Sequence, residues 1–239
     1  MIDLAFLADT MGKLLAALPV TLTLFFGSLL LGLSLSLGIV ALRVSRWRLL
    51  SAPARFYILL FRGTPLLIQM FLIYYGLGQF PAVRDSLAWV VLRSPYGCAI
   101  LSLALCTAGY TAEIIRGGLQ SVPPGQIEAG RAAGMSRWTL LRRIIAPITL
   151  RQALPAYSTE AILLVKSTAL ASLVTVWDVT GVAQQIIQRT YRTMEVFLCA
   201  ALIYLLLNFL IVRAIGWLEH RLTPHLRARP APSGAPSTI

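Results

Sequence analysis

A bundle of five membrane-spanning α-helices is the fold class that this sequence predicts, and three observations predict it. Hydrophobic residues make up 57% of the chain against 13% charged, with a mean hydropathy of +0.76. Several apolar runs approach or exceed the ~20 residues that cross a hydrocarbon core. The basic residues gather between those runs rather than within them. A soluble chain of 239 residues would break its apolar segments more often and cover itself with charge. In a soluble protein the formal charge of +12 would suggest nucleic acid. No basic helix with a polar face and no platform of aromatic residues accompanies it, so membrane topology accounts for the charge and no nucleic-acid partner is expected.

The runs place spans at about residues 14–42, 56–77, 96–118, 153–176 and 196–218. They lack the alternation of barrel strands, and in lipid each backbone polar group must be satisfied internally, so each is read as a helix. The first run is too long for a signal-peptide core and has no basic head or small-residue cleavage site, so it is expected to be retained. Arg43, Arg46, Arg48 and Arg55 fill the first connection, and Arg131, Arg137, Arg142, Arg143 and Arg151 fill the third. That side is therefore read as cytoplasmic. The second connection has only Arg84 and Arg93 with Asp85, and the fourth balances Arg189 and Arg192 with Asp178 and Glu195. The N-terminus is thus placed outside and the C-terminus inside. Residues 1–222 are read as one membrane domain and 223–239, rich in Arg, Pro, Ser, Ala and Gly, as a disordered cytoplasmic tail.

Chemistry is not indicated. Cys98, Cys106 and Cys199 lie in or beside apolar runs without CxxC spacing, which favours packing over disulfide or metal. His220 and His225 both fall near the C-terminus, Lys166 beside Ser167 is too common a pair to mark a catalytic dyad, and no G-x-x-x-x-G-K-[ST] occurs. No catalytic residue, metal or cofactor is expected in the chain itself.

The one sizeable hydrophilic stretch, 119–152, is organised. Val122-Pro123-Pro124-Gly125 breaks the preceding helix, and 126–135 has high helix propensity with Gly134 at its end. A second helix is predicted over 136–146, with Ser136 as cap and Pro147 beyond it. Glu128, Arg131 and Arg137 fall on polar positions, while Ala132, Ala133, Met135 and Trp138 offer apolar surface. Such a helix suits a protein partner, and arginine with tryptophan would also suit the headgroups of membrane lipid.

The segment Glu128-Ala129-Gly130-Arg131-Ala132-Ala133-Gly134, followed by Ile144 and Pro147, resembles the EAA loop of ABC importer permeases. That loop reads E-A-A, three residues, G, nine residues, I, one residue, L, P. Gly130 stands for the second alanine and Ala146 for the leucine; glycine there should loosen the helix by ~1 kcal/mol relative to alanine. Phe61-Arg62-Gly63-Thr64-Pro65-Leu66-Leu67, Tyr110 to Gly118, and Ala153-Leu154-Pro155-Ala156-Tyr157-Ser158 resemble the polar amino acid branch. Lys166-Ser167-Thr168-Ala169-Leu170 and Thr190-Tyr191 resemble its histidine/arginine/ornithine and octopine-type members. The resemblance implies the type I importer permease fold in a bacterial inner membrane, with a basic amino acid or opine as cargo. It also implies four kinds of assembly contact: a second permease, identical or homologous; two cytoplasmic ABC ATPase subunits that bind ATP and Mg; a periplasmic amino acid binding protein, delivering near Asp178 to Glu195; and surrounding lipid.

Ionisable residues inside spans are costly and face a bundle interior, a partner or a water path. Arg62, Glu113 and Glu160 are each predicted ~8–10 Å from the inner ends of their helices, at one depth, with Lys166 ~9 Å further out. Two readings stand: Arg62 neutralises Glu113 or Glu160, or one carboxylate, preferably Glu160, meets a cationic solute while Lys166, Ser167 and Thr168 receive its carboxylate. Thr64 sits beside the same level. The rival to an ATP-driven permease is a self-sufficient secondary transporter or channel for small polar solutes, whose cue, an inverted repeat, is not visible in the sequence.

Overall fold

The computed structural model describes residues 3–222, and every regular element among them is helical. Helix α1 (Leu4–Arg43) is 40 residues long, about 60 Å at 1.5 Å per residue and so twice the thickness of a hydrocarbon core. Asp3 caps it, accepting from Phe6 N at 3.1 Å and pairing with Arg192 at 3.1 Å, and these contacts hold its carboxyl below the ordinary value. The face of α1 turned into the protein carries Thr10, Thr21, Ser28, Ser36 and Gly32 among its buried residues, whereas Leu15, Phe26, Leu30 and Leu37 are exposed. A water-soluble helix would be arranged the other way round. In lipid the apolar side chains face outward without penalty, and small residues let two backbones approach.

α1 packs chiefly on α6 (Pro95–Gln120), whose buried face is, Leu103 apart, also built mainly of small residues: Ala99, Ser102, Ala104, Thr107, Ala108, Gly109, Thr111 and Ala112. Ser28 Oγ donates to Ile100 O at 3.3 Å across this seam. Between the two helices in sequence come α2 (Arg48–Gly63), α3 (Leu66–Phe71) with its continuation to Gln79, α4 (Pro81–Arg84) and α5 (Trp89–Leu92). After α6 follow α7 (Pro124–Ala132), α8 (Arg137–Leu140), a wide turn at Leu141–Ile145, α9 (Ala146–Ser167), a tight helical stretch at Thr168–Val174, α10 (Val179–Thr190) and α11 (Thr193–Leu222).

By length and composition, α1, α6 and α11 can each cross a membrane, and two bent pairs raise the number to as many as five. The expected spans at 14–42, 96–118 and 196–218 correspond to these three helices, with longer ends. The other two are not single rods. The span expected at 56–77 breaks between α2 and Leu66–Gln79 with a bend of 106°. Its cause is local: Thr64 precedes Pro65 and is extended at φ −114°, ψ 147°, the conformation proline imposes on its predecessor. The span expected at 153–176 begins earlier, runs from α8 through Val174, and meets α10 at 49°. There Thr175 adopts a left-handed conformation at φ 62°, and Asp178 caps α10 by accepting from Gly181 N at 2.8 Å. Residues 179–190, read from sequence as part of an outer connection, are therefore helical. The expected tail at 223–239 lies outside the described residues.

α6 and α9 run antiparallel with Gly118 against Thr149. A Cβ at Gly118 would meet Thr149 O at 2.7 Å and Ala153 Cβ at 3.3 Å. Gly118→Ala should therefore push the helices apart and cost about 1–3 kcal/mol, read as a lowered melting temperature of the detergent-solubilised protein. Gly38→Ala, where the new methyl meets nothing within 4 Å, should leave the melting temperature unchanged or raise it, since alanine favours a helix interior by up to ~1 kcal/mol.

Candidate functional site

Two regions carry the residues that sequence singled out. The first is the loop. Helix α7 starts at Pro124, earlier than expected because proline suits the first helical position. It closes at its C-terminus in a double turn: Met135 N donates to Gly130 O at 3.0 Å and Gly134 N to Arg131 O at 2.9 Å, with Gly134 at φ 74°. That is the Schellman arrangement, which needs a residue free to adopt a left-handed conformation. The expected serine cap also forms, Ser136 Oγ accepting from Thr139 N at 3.3 Å.

Gly130 is the one fully buried residue of α7, and a Cβ there would meet Leu140 Cδ1 at 2.6 Å and Ile144 Cδ1 at 3.0 Å. The expected loosening by glycine thus has a counterpart: its missing side chain lets α7 lie against Leu140 and Ile144. Glu128, Ala129, Arg131, Ala132 and Ala133 are exposed. The predicted second helix over 136–146 is not a separate element, since α8 continues through the wide turn, past Pro147, into α9. Proline is accommodated there because it occupies the start of the α-helical hydrogen-bond ladder.

The second region lies where α2 meets α6. A groove of about 580 Å3 is lined by Arg43, Arg55, Arg62, Gly63, Tyr110 and Glu113 with neighbouring apolar residues. Glu113 is held by Arg116, with Nε and Nη2 at 2.8 and 2.7 Å from Oε2. Arg43 Nε approaches Oε1 at 3.4 Å, near enough for attraction but without an aligned hydrogen bond. Arg62 makes no ion pair with Glu113 or Glu160 among the described residues; its guanidinium lies over the Tyr110 ring, 4.9 Å from the centroid. The expected neutralisation of Glu113 is thus performed by Arg43 and Arg116.

Glu160 is buried at 7% exposure and accepts from Thr107 Oγ1 at 3.1 Å. Thr107 precedes Glu113 by six residues, about 9 Å along α6, so the two carboxylates do not share one depth. The reason is that α9 starts at Ala146, leaving Ala153 already a full turn inside the antiparallel contact. Thr64 Oγ1 donates to Leu60 O and accepts from Gln69 Nε2 at 2.8 Å, sealing the break before α3. Lys166 is exposed, Ser167 donates to Leu163 O, and Thr168 is buried and donates to Val165 O. The structure brings Arg62 and Glu113 to one groove, which Glu160 does not line, and it brings Lys166, Ser167 and Thr168 to neither.

Sequence reasoning missed Arg43, for which topology alone is a sufficient account, and Thr107. It also missed a buried cluster at the break before α10: Asp178 is fully buried, Tyr204 Oη donates to its Oδ2 at 3.1 Å, and Val179 N donates to Thr21 Oγ1 at 3.2 Å. The available signal was the pattern Asp178-Val179-Thr180-Gly181, an acid immediately before a helical run.

Comparison with known proteins agrees with this architecture. The chain is 55% identical over 225 residues to the octopine transport system permease protein OccM of Rhizobium radiobacter, covering 94% of this chain and 92% of that protein. It is 37% identical over 221 residues to the histidine/lysine/arginine/ornithine transport system permease protein HisM of Salmonella typhimurium, covering 92% and 94%. A solved structure described as an amino acid ABC transporter with histidines superposes with a TM-score of 0.81 at 31% identity, covering 92% of this chain and 99% of the other. The model of one family, described as "Binding-protein-dependent transport system inner membrane component", matches residues 28–224, and the chain belongs to that family.

Proposed function

We propose that this chain is one of two paired permease subunits of an ATP-driven importer that carries a polar, basic amino acid or an opine inward across the bacterial inner membrane. A partner ATPase, which binds ATP and Mg, would dock on α7, and a periplasmic binding protein would deliver the solute to the outer face. The observation that carries this reading is a continuous path from an uncovered helix to a buried charge. α7 presents Glu128, Ala129, Arg131, Ala132 and Ala133 to its surroundings, rests through Gly130 on Leu140 and Ile144, and these belong to the same helical rod that bears Glu160.

The solutes in the two relatives' names, octopine and the basic amino acids, each combine a carboxylate with a basic group. The region between α2, α6 and α9 offers both complements: Arg62 with Arg55 for the carboxylate, and Glu160 for the base. In the proposed cycle, closure of the ATPase pair shifts α7, the spans open outward to the loaded binding protein, and hydrolysis restores the inward state. The N-terminus lies outside and the C-terminus in the cytoplasm, with five spans, two of them broken.

The test is uptake of radiolabelled arginine and octopine by proteoliposomes that hold this chain with its partner permease, ATPase and binding protein, with ATP inside. Uptake should require ATP. Glu128→Lys should abolish it while weakening ATPase retention on the membrane, because a reversed charge on the exposed face of α7 meets the same partner surface. Uptake driven by an ion gradient without the ATPase would overturn the proposal in favour of a self-sufficient transporter.

Glu160→Gln should reduce uptake of cationic solutes selectively. Losing one partner of a desolvated charge pair costs about 2 kcal/mol or more, roughly 30-fold at solute concentrations well below saturation, with uptake of a neutral solute such as glutamine as the comparison. An equal loss for cationic and neutral solutes would assign Glu160 to packing with Thr107 instead.

A further inference from the structure

Several arginines among the described residues have visible occupations. Arg43 and Arg116 pair with Glu113, Arg62 lies over Tyr110, Arg192 pairs with Asp3 and lies over Phe6, and Arg221 lies over Trp217. Of those without one, three converge on a single groove. Arg46, just beyond α1, Arg131 in the last turn of α7 and Arg137 at the start of α8 line a groove of about 760 Å3 whose wall is completed by Met135, Leu140, Leu141 and Ile145. No acidic residue among those described lines it. No side-chain hydrogen bond or ion pair within the described residues engages any of the three guanidiniums.

The groove has a second mark. Trp47 and Trp138, the sequence neighbours of Arg46 and Arg137, are 73% and 69% exposed. Tryptophans left in the open beside arginines, at the ends of apolar helices, are the composition of a headgroup level, where an indole has one wet and one apolar side. The wall of the groove has the same duality, guanidinium on one side and leucine and isoleucine on the other.

We propose that this groove binds an anionic phospholipid, the phosphodiester held among Arg46, Arg131 and Arg137 and the first carbons of an acyl chain lying along Leu140, Leu141 and Ile145. Guanidinium groups suit phosphate because their planar N–H fork matches its oxygens. Basic pockets between helices at the cytoplasmic surface are suited to such headgroups. A free phosphate would satisfy the arginines but leave the apolar wall unused. A lipid held here joins the connection after α1 to both helices of the loop, and so braces α7 against the bundle whatever solute is carried.

The intact transporter, reconstituted in nanodiscs of phosphatidylcholine mixed with phosphatidylglycerol, would be released and weighed by native mass spectrometry. Phosphatidylglycerol should be retained in preference to phosphatidylcholine. Arg46→Gln and Arg137→Gln should each lower that preference about fivefold, the worth of one basic residue near an anionic surface; Arg46→Lys should keep most of it, and Arg84→Gln, remote from the groove, should keep all of it. Equal retention of the two lipids by the unaltered protein would overturn the proposal, and that reading needs no variant to assemble. So would an equal effect of Arg84→Gln, which would reduce the preference to general surface charge. Full displacement of phosphatidylglycerol by inorganic phosphate would make the groove a free-anion site, and retention that appears only after the ATPase is stripped away would make it an ATPase contact; either result would overturn the proposal.

Discussion

Water drives helices together by expelling apolar surface, but in a bilayer the surroundings are as apolar as leucine, so adhesion must come from close backbone approach and short polar contacts. α6 shows how this chain meets that constraint. It is touched by α1, α2, α3, α5 and α9, and no helix could be approached from so many sides with large residues on its surface. Alanine, glycine, serine and threonine fill most of its buried positions, and polar atoms reach its backbone carbonyls at the seams: Ser28 Oγ at Ile100 O, Tyr57 Oη at Leu105 O. Many of the leucines and phenylalanines of α1 and α11 face outward, although Leu14, Leu24, Phe25 and Leu207 are buried in the core.

The same constraint explains why the two broken spans are tolerable. A break frees backbone groups that lipid cannot satisfy, so each must be stitched by a side chain. At the first, Gln69 Nε2 reaches Phe61 O and Thr64 O at 2.9 and 3.0 Å. At the second, Asp178 takes Gly181 N, Thr21 Oγ1 takes Val179 N, and Tyr204, itself 3.0 Å from Thr180 Oγ1, completes the carboxylate. Buried Gln69, Thr21 and Asp178 are thus among the groups that allow the chain to stop being a straight helix.

Helix existence was legible in the sequence because an apolar run of ~20 residues matches the thickness of a hydrocarbon core and little else. The loop was legible for a different reason: its glycine and serine do local work, a left-handed turn at Gly134 and a cap at Ser136, and local chemistry is written in adjacent residues. Three features were not. The break at Thr64 needed Pro65 to be read as a stop rather than as a tolerated kink, and both readings are available to a proline in a span. Glu113 with Arg43, and Glu160 with Thr107, are contacts between segments 70 and 53 residues apart in numbering, so which guanidinium reaches which carboxylate depends on helix register and not on any local pattern. The depth of Glu160 was misjudged because hydropathy marks where lipid begins, whereas α9 starts a further two turns away, at Ala146.

That extension of α9 bears on how a loop can act on a bundle. Thr149 is pressed against Gly118 with no room for a methyl group, and this contact lies between the two ends of one rod. On one side of it stand Leu140 and Ile144, carrying α7; on the other, eleven residues or about 16 Å beyond Thr149, stands Glu160. A helix packed this tightly at one point cannot slide there, because the interior transmits strain rather than absorbing it. It can tilt. In the proposed coupling, a displacement of α7 toward the bundle would therefore move Glu160 away from Thr107, and a displacement outward would press the two together. In that proposed coupling the small residue at 118 would serve as the fulcrum of α9, and the Glu160–Thr107 pair would be the contact that its tilt opens or closes.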